Sequence, residues 1–298
     1  MAFVFNSCFT GVETTRKITG DDAVKIGINT DSQGGSRLDS LVPAKFKDWE
    51  IGKRFYVTDN NIKIVLYSQK LNLDTISFIN KTLVYNGYVE ENRIGVEKLA
   101  YVILKDSSGS EFYYKTGKTI SELRDSSYLF KIPFTIDCDM VESVKNNLNG
   151  DSLYIKSPIW FNESGEQTRG FKFEKIKILD VLPGNKVYSI NVKFEYNGKT
   201  SYIYLSTKDN SVSSRLFSSI FSFTNPHLIY PLITDEVWSM IKRGEIKKYM
   251  TKDECKLSIG LPNDVNKIPT YNGLEEYWFY ENGVYLLFRD GLLTEFRK

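Results

Sequence analysis

A chain of 298 residues that is 41% hydrophobic and 14% aromatic can bury a sizeable core and has room for two or three domains. Its 39 lysines and arginines nearly balance 37 aspartates and glutamates, which argues against a phosphate-driven nucleic-acid binder with its concentrated positive field. No run approaches the roughly 18 apolar residues of a membrane-spanning helix, and a single histidine excludes sites built from two or more.

The chain opens with apolar Ala2-Phe3-Val4-Phe5, then Asn6-Ser7-Cys8, and turns polar after Cys8. This is the tail of a signal-peptide pattern, and Ser7-Cys8 resembles a relaxed bacterial lipobox, whose cysteine carries diacylglycerol. Cys8 is therefore the expected lipidation site, which anchors a protein to a membrane without spanning it. The alternative reading takes Met1 as the true start of a cytoplasmic chain with an incidental cysteine. The Gly-, Ser-, Thr- and Asp-rich stretch that follows completes a truncated signal and flexible tether over 1–40. Within it, Gly34-Gly35 lacks the Gly-Lys-Ser/Thr continuation of a phosphate loop.

From Trp49 to Gly244 the dominant pattern is apolar/polar alternation, as in Arg54-Phe55-Tyr56-Val57 and Ser189-Ile190-Asn191-Val192-Lys193-Phe194. The pattern repeats. Gly52-Lys53-Arg54-Phe55-Tyr56-Val57 resembles Gly150-Asp151-Ser152-Leu153-Tyr154-Ile155, 98 residues on, and the hairpin signals at Gly109 and Gly198 lie 89 apart. Asp139-Met140-Val141-Glu142 likewise resembles Asp235-Glu236-Val237-Trp238. Two β-rich units are expected, 41–148 and 149–233, each a meander closed by a short capped helix. The helix after Asp139 carries the apolar stripe Met140, Val141, Val144, Leu148.

Residues that could carry chemistry are scattered. His227 lies beside Pro226 in a loop, and Cys138 and Cys255 have no Cys-x-x-Cys partner, so the expectations are no metal site, no cofactor and no enzyme. Whether Cys138 and Cys255 pair is left open. Asp137 and Asp139 read as a helix approach and cap, and Asp59-Asn60-Asn61 and Asp209-Asn210 as turns, since the downstream Gly and Glu of a calcium loop are missing. Trp160 and Phe161, adjacent on one strand, are the candidates for an exposed platform that stacks on sugar rings.

The segment 234–298 has the clearest local signals. Asp235 suits an N-cap and Gly244 a left-handed C-cap; Thr251 and Glu254 have capping-box spacing, with Met250 and Cys255 as a staple. Gly260 and Pro262 stop the second helix. After a polar loop come Glu275 to Tyr280, an Asn282-Gly283 two-residue turn, Val284 to Arg289, Asp290-Gly291, and Leu292 to Arg297. The fold class expected for the whole chain is α+β and β-rich: two tandem antiparallel meander units, then an αα-βββ module.

The succession Met250-Thr251-Lys252-Asp253-Glu254-Cys255, Gly260-Leu261-Pro262, Tyr277-Trp278-Phe279-Tyr280 and Asp290-Gly291-Leu292 resembles the SmpA/OmlA (BamE) family of small outer-membrane lipoproteins. Tyr249 stands where the family has a glycine, and the match covers only the last fifth of the chain. The resemblance implies a cell-envelope location, on the periplasmic or surface side of the outer membrane, and a non-enzymatic scaffold role with envelope proteins as partners. Tyr277, Trp278, Phe279 and Tyr280 are the expected contact surface, through a free strand edge. The alternative is a module that binds envelope polysaccharide or a small ligand.

Overall fold

Gly52 and Gly150 both take positive φ and each leads into the first strand of an antiparallel sheet. The computed structural model describes residues 32–93, 96–125, 129–148, 150–207, 215–271 and 273–297, as a strand-rich α+β protein with three antiparallel sheets. The first contains β1 (Arg54–Val57), β2 (Leu66–Tyr67), β3 (Thr82–Arg93), β4 (Val96–Lys105), β5 (Glu111–Lys115) and β6 (Thr135–Asp137), ordered β2-β5-β4-β3-β1-β6. The second contains β7 (Ser152–Ile155), β8 (Ile159–Asn162), β9 (Gln167–Arg169), β10 (Glu174–Pro183), β11 (Ile190–Tyr196), β12 (Lys199–Leu205) and β13 (Phe221–Ser222). Its order, β9-β8-β12-β11-β10-β7-β13, is that of the first sheet with β9 added at one edge.

The internal repeat is thus visible in topology. Each sheet has a three-strand meander flanked by the first two strands of its unit, β1 and β2 in one and β7 and β8 in the other. β1 and β7 bury side chains in the same phase, Phe55 and Val57 in one and Leu153 and Ile155 in the other. The first meander strand is irregular in both, at Tyr85/Tyr88 and at Ile178/Asp180.

The helices show where residue patterns stop being sufficient. Helix α1 (Ser32–Asp39) occupies the end of the expected tether. It packs on α4 (Phe217–Ile220): Leu38 is buried in the second core, and the Asp39 carboxylate accepts from the Ser218 hydroxyl. Gly35, read as a linker residue, serves close approach instead, because a Cβ there would lie 3.1 Å from the Phe223 ring and from Ser218 Cα. A short α2 (Ile120–Arg124), with a Thr119/Glu122 capping box, contributes Leu123 to the first core.

Helix α3 (Cys138–Leu148) ends the first unit as expected, but its stripe faces the second sheet: Met140, Val141, Val144 and Leu148 share a core with Ile176, Ile178, Val192 and Phe194. The residue that caps its first turn is Asp137, whose carboxylate accepts from the Asp139 N–H, in place of Asp139. The same Asp137, with Asp139, holds the buried ammonium of Lys53 at 2.8 and 2.6 Å and so ties β1, β6 and α3 together.

A short α5 (Pro226–Ile229) precedes α6 (Asp235–Arg243), which repeats the arrangement of α3 by covering the sheet that follows it. Trp238 and Ile241 pack with Trp278, Leu286 and Phe288. Its N-cap is Thr234, one residue before the expected Asp235; Gly244 closes it at φ 70° as expected. In α7 (Lys252–Ile259) both halves of the Thr251/Glu254 capping box form, and Met250 and Cys255 are buried.

The C-terminal sheet has four strands, not three: β14 (Asp264–Thr270), β15 (Gly273–Phe279), β16 (Tyr285–Arg289) and β17 (Leu292–Arg297), in sequence order. The extra strand β14, expected as a polar loop, is exposed at every residue. The β15–β16 connection is a three-residue 3-10 turn over Glu281–Gly283, not a two-residue hairpin turn. Lys172 docks this module on the second unit by donating to the carbonyls of Leu257 and Ser258 at the end of α7, at 2.6 and 2.8 Å. Phe173 beside it packs edge-on against Trp238.

Candidate functional site

The expected contact strand divides by alternation. Trp278 is buried against Phe288, with ring centroids 4.5 Å apart, and its indole N–H donates to Glu276 at 3.2 Å. Tyr280 belongs to the same core and donates to the Gly260 carbonyl. Tyr277 and Phe279 stand on the opposite face, beside Tyr285 and Leu287 of β16. Phe279 is 42% exposed, and that face also carries an Arg289–Glu275 ion pair.

The free edge expected at β15 is not there. β15 pairs with β14 on one side and β16 on the other, so the edge available to an added strand is that of β14. At the far side of the sheet, the Tyr249 N–H donates to the Leu293 carbonyl, the Leu293 N–H donates to the Met250 carbonyl, and Thr251 bridges Leu292, which covers β17. Along and just before β14, Leu261, Val265 and Ile268 are exposed apolar side chains.

The proposed sugar platform is also corrected. Trp160 is 2% exposed and packs edge-on against Phe194 and Tyr196 in the second core, because its strand alternates and the next residue takes the outward position. Phe161 does face outward, in an open groove of about 620 Å³ with Tyr202, Tyr204, Asn191 and Arg215. Its ring meets that of Tyr204 at 69°, an edge-on arrangement instead of a coplanar platform for a sugar face.

A cleft that nothing in the local sequence pattern marks lies between the two repeated units. About 500 Å³ in volume, it is bounded by Trp49, Phe55, Phe130, Ile132, Phe134 and Ile136 of the first unit, by Met140 of α3, and by the β10–β11 loop Asn185–Ser189. Positions 49 and 187 come together only through tertiary structure, so no sequence window contains both walls. The loop is held rigidly: Asn185 accepts from the N–H groups of Val187 and Tyr188, both at 2.9 Å. Gly184 allows this, since a Cβ there would sit 2.0 Å from the Tyr188 carbonyl oxygen.

The groups with chemical potential are used for packing. Among the described residues no cluster of three or more His, Cys, Asp and Glu could hold a metal ion, and no helix is long and apolar enough to cross a membrane. Cys138 and Cys255 are free thiols, and burial pushes the Cys255 thiol up to about 12, which removes its nucleophilicity near neutral pH. Burial pushes the Lys172 ammonium down to about 8, but the amine is committed to two helix carbonyls. Asp59 closes an Asx turn by accepting from the Asn61 N–H, as read from sequence. Cys8, Asp209 and Asn210 lie outside the described residues.

His227 stacks on Trp238 at 4.2 Å and 20°, and burial, followed by the charge of Lys242, holds its pKa below the ordinary 6.5. A depressed folded-state value means the unfolded chain binds the proton more readily, so stability is lost on acidification through this range and is fully present above about pH 6.5. The wild type is expected to lose more melting temperature than His227→Phe between pH 7.5 and pH 5; equal losses would show that His227 is not responsible.

No family model, no curated protein and no solved structure matches the chain.

Proposed function

We propose that this chain is a non-catalytic accessory or scaffold protein of the bacterial cell envelope, tethered at the outer membrane through Cys8 and engaging an envelope protein through its C-terminal module. The observation that supports this reading is the construction of that module. Helices α6 and α7 cover one face of the sheet, while the other face, with Phe279 and Tyr277, and the edge of β14 are left uncovered. A free edge flanked by exposed apolar side chains, here Val265 and Ile268, suits strand addition, in which main-chain hydrogen bonds supply affinity and side chains supply selectivity. The SmpA/OmlA resemblance and the lipobox-like Ser7-Cys8 supply the location.

The test is photo-crosslinking in living cells from p-benzoylphenylalanine placed singly at Ile268, at Phe279 and, as a control, at Ile64, which is 80% exposed on the first unit. Adducts with a discrete protein are expected from Ile268 and Phe279 and not from Ile64. Loss of the Ile268 adduct in a Phe279→Asp background would localise the contact. Adducts equal from all three positions, or from none, would overturn the reading.

A further inference from the structure

The cleft between the repeated units has features that a packing defect lacks. Its volume of about 500 Å³ lies within the range of small-molecule sites, and its floor is aromatic, with Trp49, Phe55, Phe130 and Phe134 contributing rings. Its walls are pre-formed by the rigid loop before β11. Phe134 lies at φ 63°, a left-handed conformation that a bulky side chain adopts at a cost, and it is held there by the Thr58 N–H and hydroxyl, which both donate to its carbonyl.

Two observations select the ligand. Ser189 lines the cleft, and its hydroxyl, closed to water, has no hydrogen-bond partner among the described residues, an arrangement that a native protein tolerates at few positions. The charged lining residues balance, Lys131 and Lys186 against Asp59 and Asp137. They are also engaged: Lys186 reaches Asp59 across the rim at 3.8 Å, Asp137 is held by Lys53, and Lys131 makes an interaction of its own. Neither sign is left in excess to attract an ion.

From this we infer that the cleft binds an uncharged small molecule with an aromatic or alicyclic body and one hydrogen-bonding group that pairs with the Ser189 hydroxyl once the Ser189 side chain rotates to face the cleft. The ligand satisfies a hydroxyl that the described residues leave without a partner, and its ring lies on the aromatic floor. This site is independent of the C-terminal surface, so either can fail alone.

The probe is N-phenyl-1-naphthylamine, neutral and carrying a single N–H, titrated into the full chain and followed by its emission under tryptophan excitation, with Trp49 as the nearby donor. Saturable one-to-one binding is expected. Val187→Trp, which fills the cleft from the loop, should weaken it at least tenfold. Ser189→Ala should weaken it several-fold while raising Tm slightly, since it deletes a buried hydroxyl that has no partner, and this second variant keeps the test decisive if the first fails to fold. The sulfonated analogue 1-anilinonaphthalene-8-sulfonate should bind at least tenfold more weakly than the neutral probe. No saturable binding, unchanged affinity in folded Val187→Trp and Ser189→Ala, or equal affinity for the anionic analogue would each overturn the assignment.

Discussion

Replacing Lys53 by Met is expected to lower the unfolding free energy by about 3–5 kcal/mol, because it leaves a buried carboxylate without its counter-charge. The side chains of Lys53 and Asp137 are 4% and 7% exposed, so water cannot substitute for the missing ammonium. Asp139 is 55% exposed and can recover hydration, so most of the loss comes from Asp137. The paired substitution Lys53→Met with Asp137→Leu removes both buried charges. It should recover all but about 1–2 kcal/mol, the remainder reflecting the Asp139 N–H, which loses the carboxylate that caps α3. Urea unfolding of the two variants decides the matter: if the double variant is no more stable than Lys53→Met, the buried pair is not the source of the effect.

Trp278→Ala should cost about 3–5 kcal/mol, the range for emptying a large aromatic site in a close-packed core. Its neighbour Phe279, 42% exposed on the other side of the sheet, should cost under about 1 kcal/mol on the same replacement. The contrast separates structure from recognition within a dipeptide. Trp278→Ala is expected to abolish partner contact only by unfolding the module, whereas Phe279→Ala should weaken that contact with the melting temperature nearly unchanged. Equal destabilisation by the two would mean that the outer face is covered.

What the residues reveal in advance depends on how local the controlling interaction is. The Thr251/Glu254 capping box and the Gly244 cap are each decided within one or two turns of helix, and both form where the spacing places them. The repeat was legible because β1 and β7 preserve both a leading glycine and the phase of burial. Strand β14 was not, since Asp264–Thr270 has no buried face and therefore no alternation to read. An apolar stripe says that α3 is covered without saying by what; Met140 and Val144 serve the sheet ahead of them in sequence. Trp160 and Phe161 show the same limit, as adjacency on a strand places two aromatics on opposite faces. The cleft and its Ser189 hydroxyl depend on segments more than a hundred residues apart, beyond any reading of local pattern.

The docking of α1 on α4 also decides how the molecule would bear load. Helix α1 lies beside the second sheet, which also contacts α3 of the first unit and, through Phe173, the C-terminal module. Tension applied through the upstream segment would meet the Asp39–Ser218 clip and the close packing at Gly35 first, peeling a single helix from the body. Once α1 has peeled, the chain leads into Phe46 and β1, so the first sheet would be loaded next and the C-terminal sheet last. A tether attached there would grip the protein at its second sheet first, and only the loss of α1 would pass the load to the first.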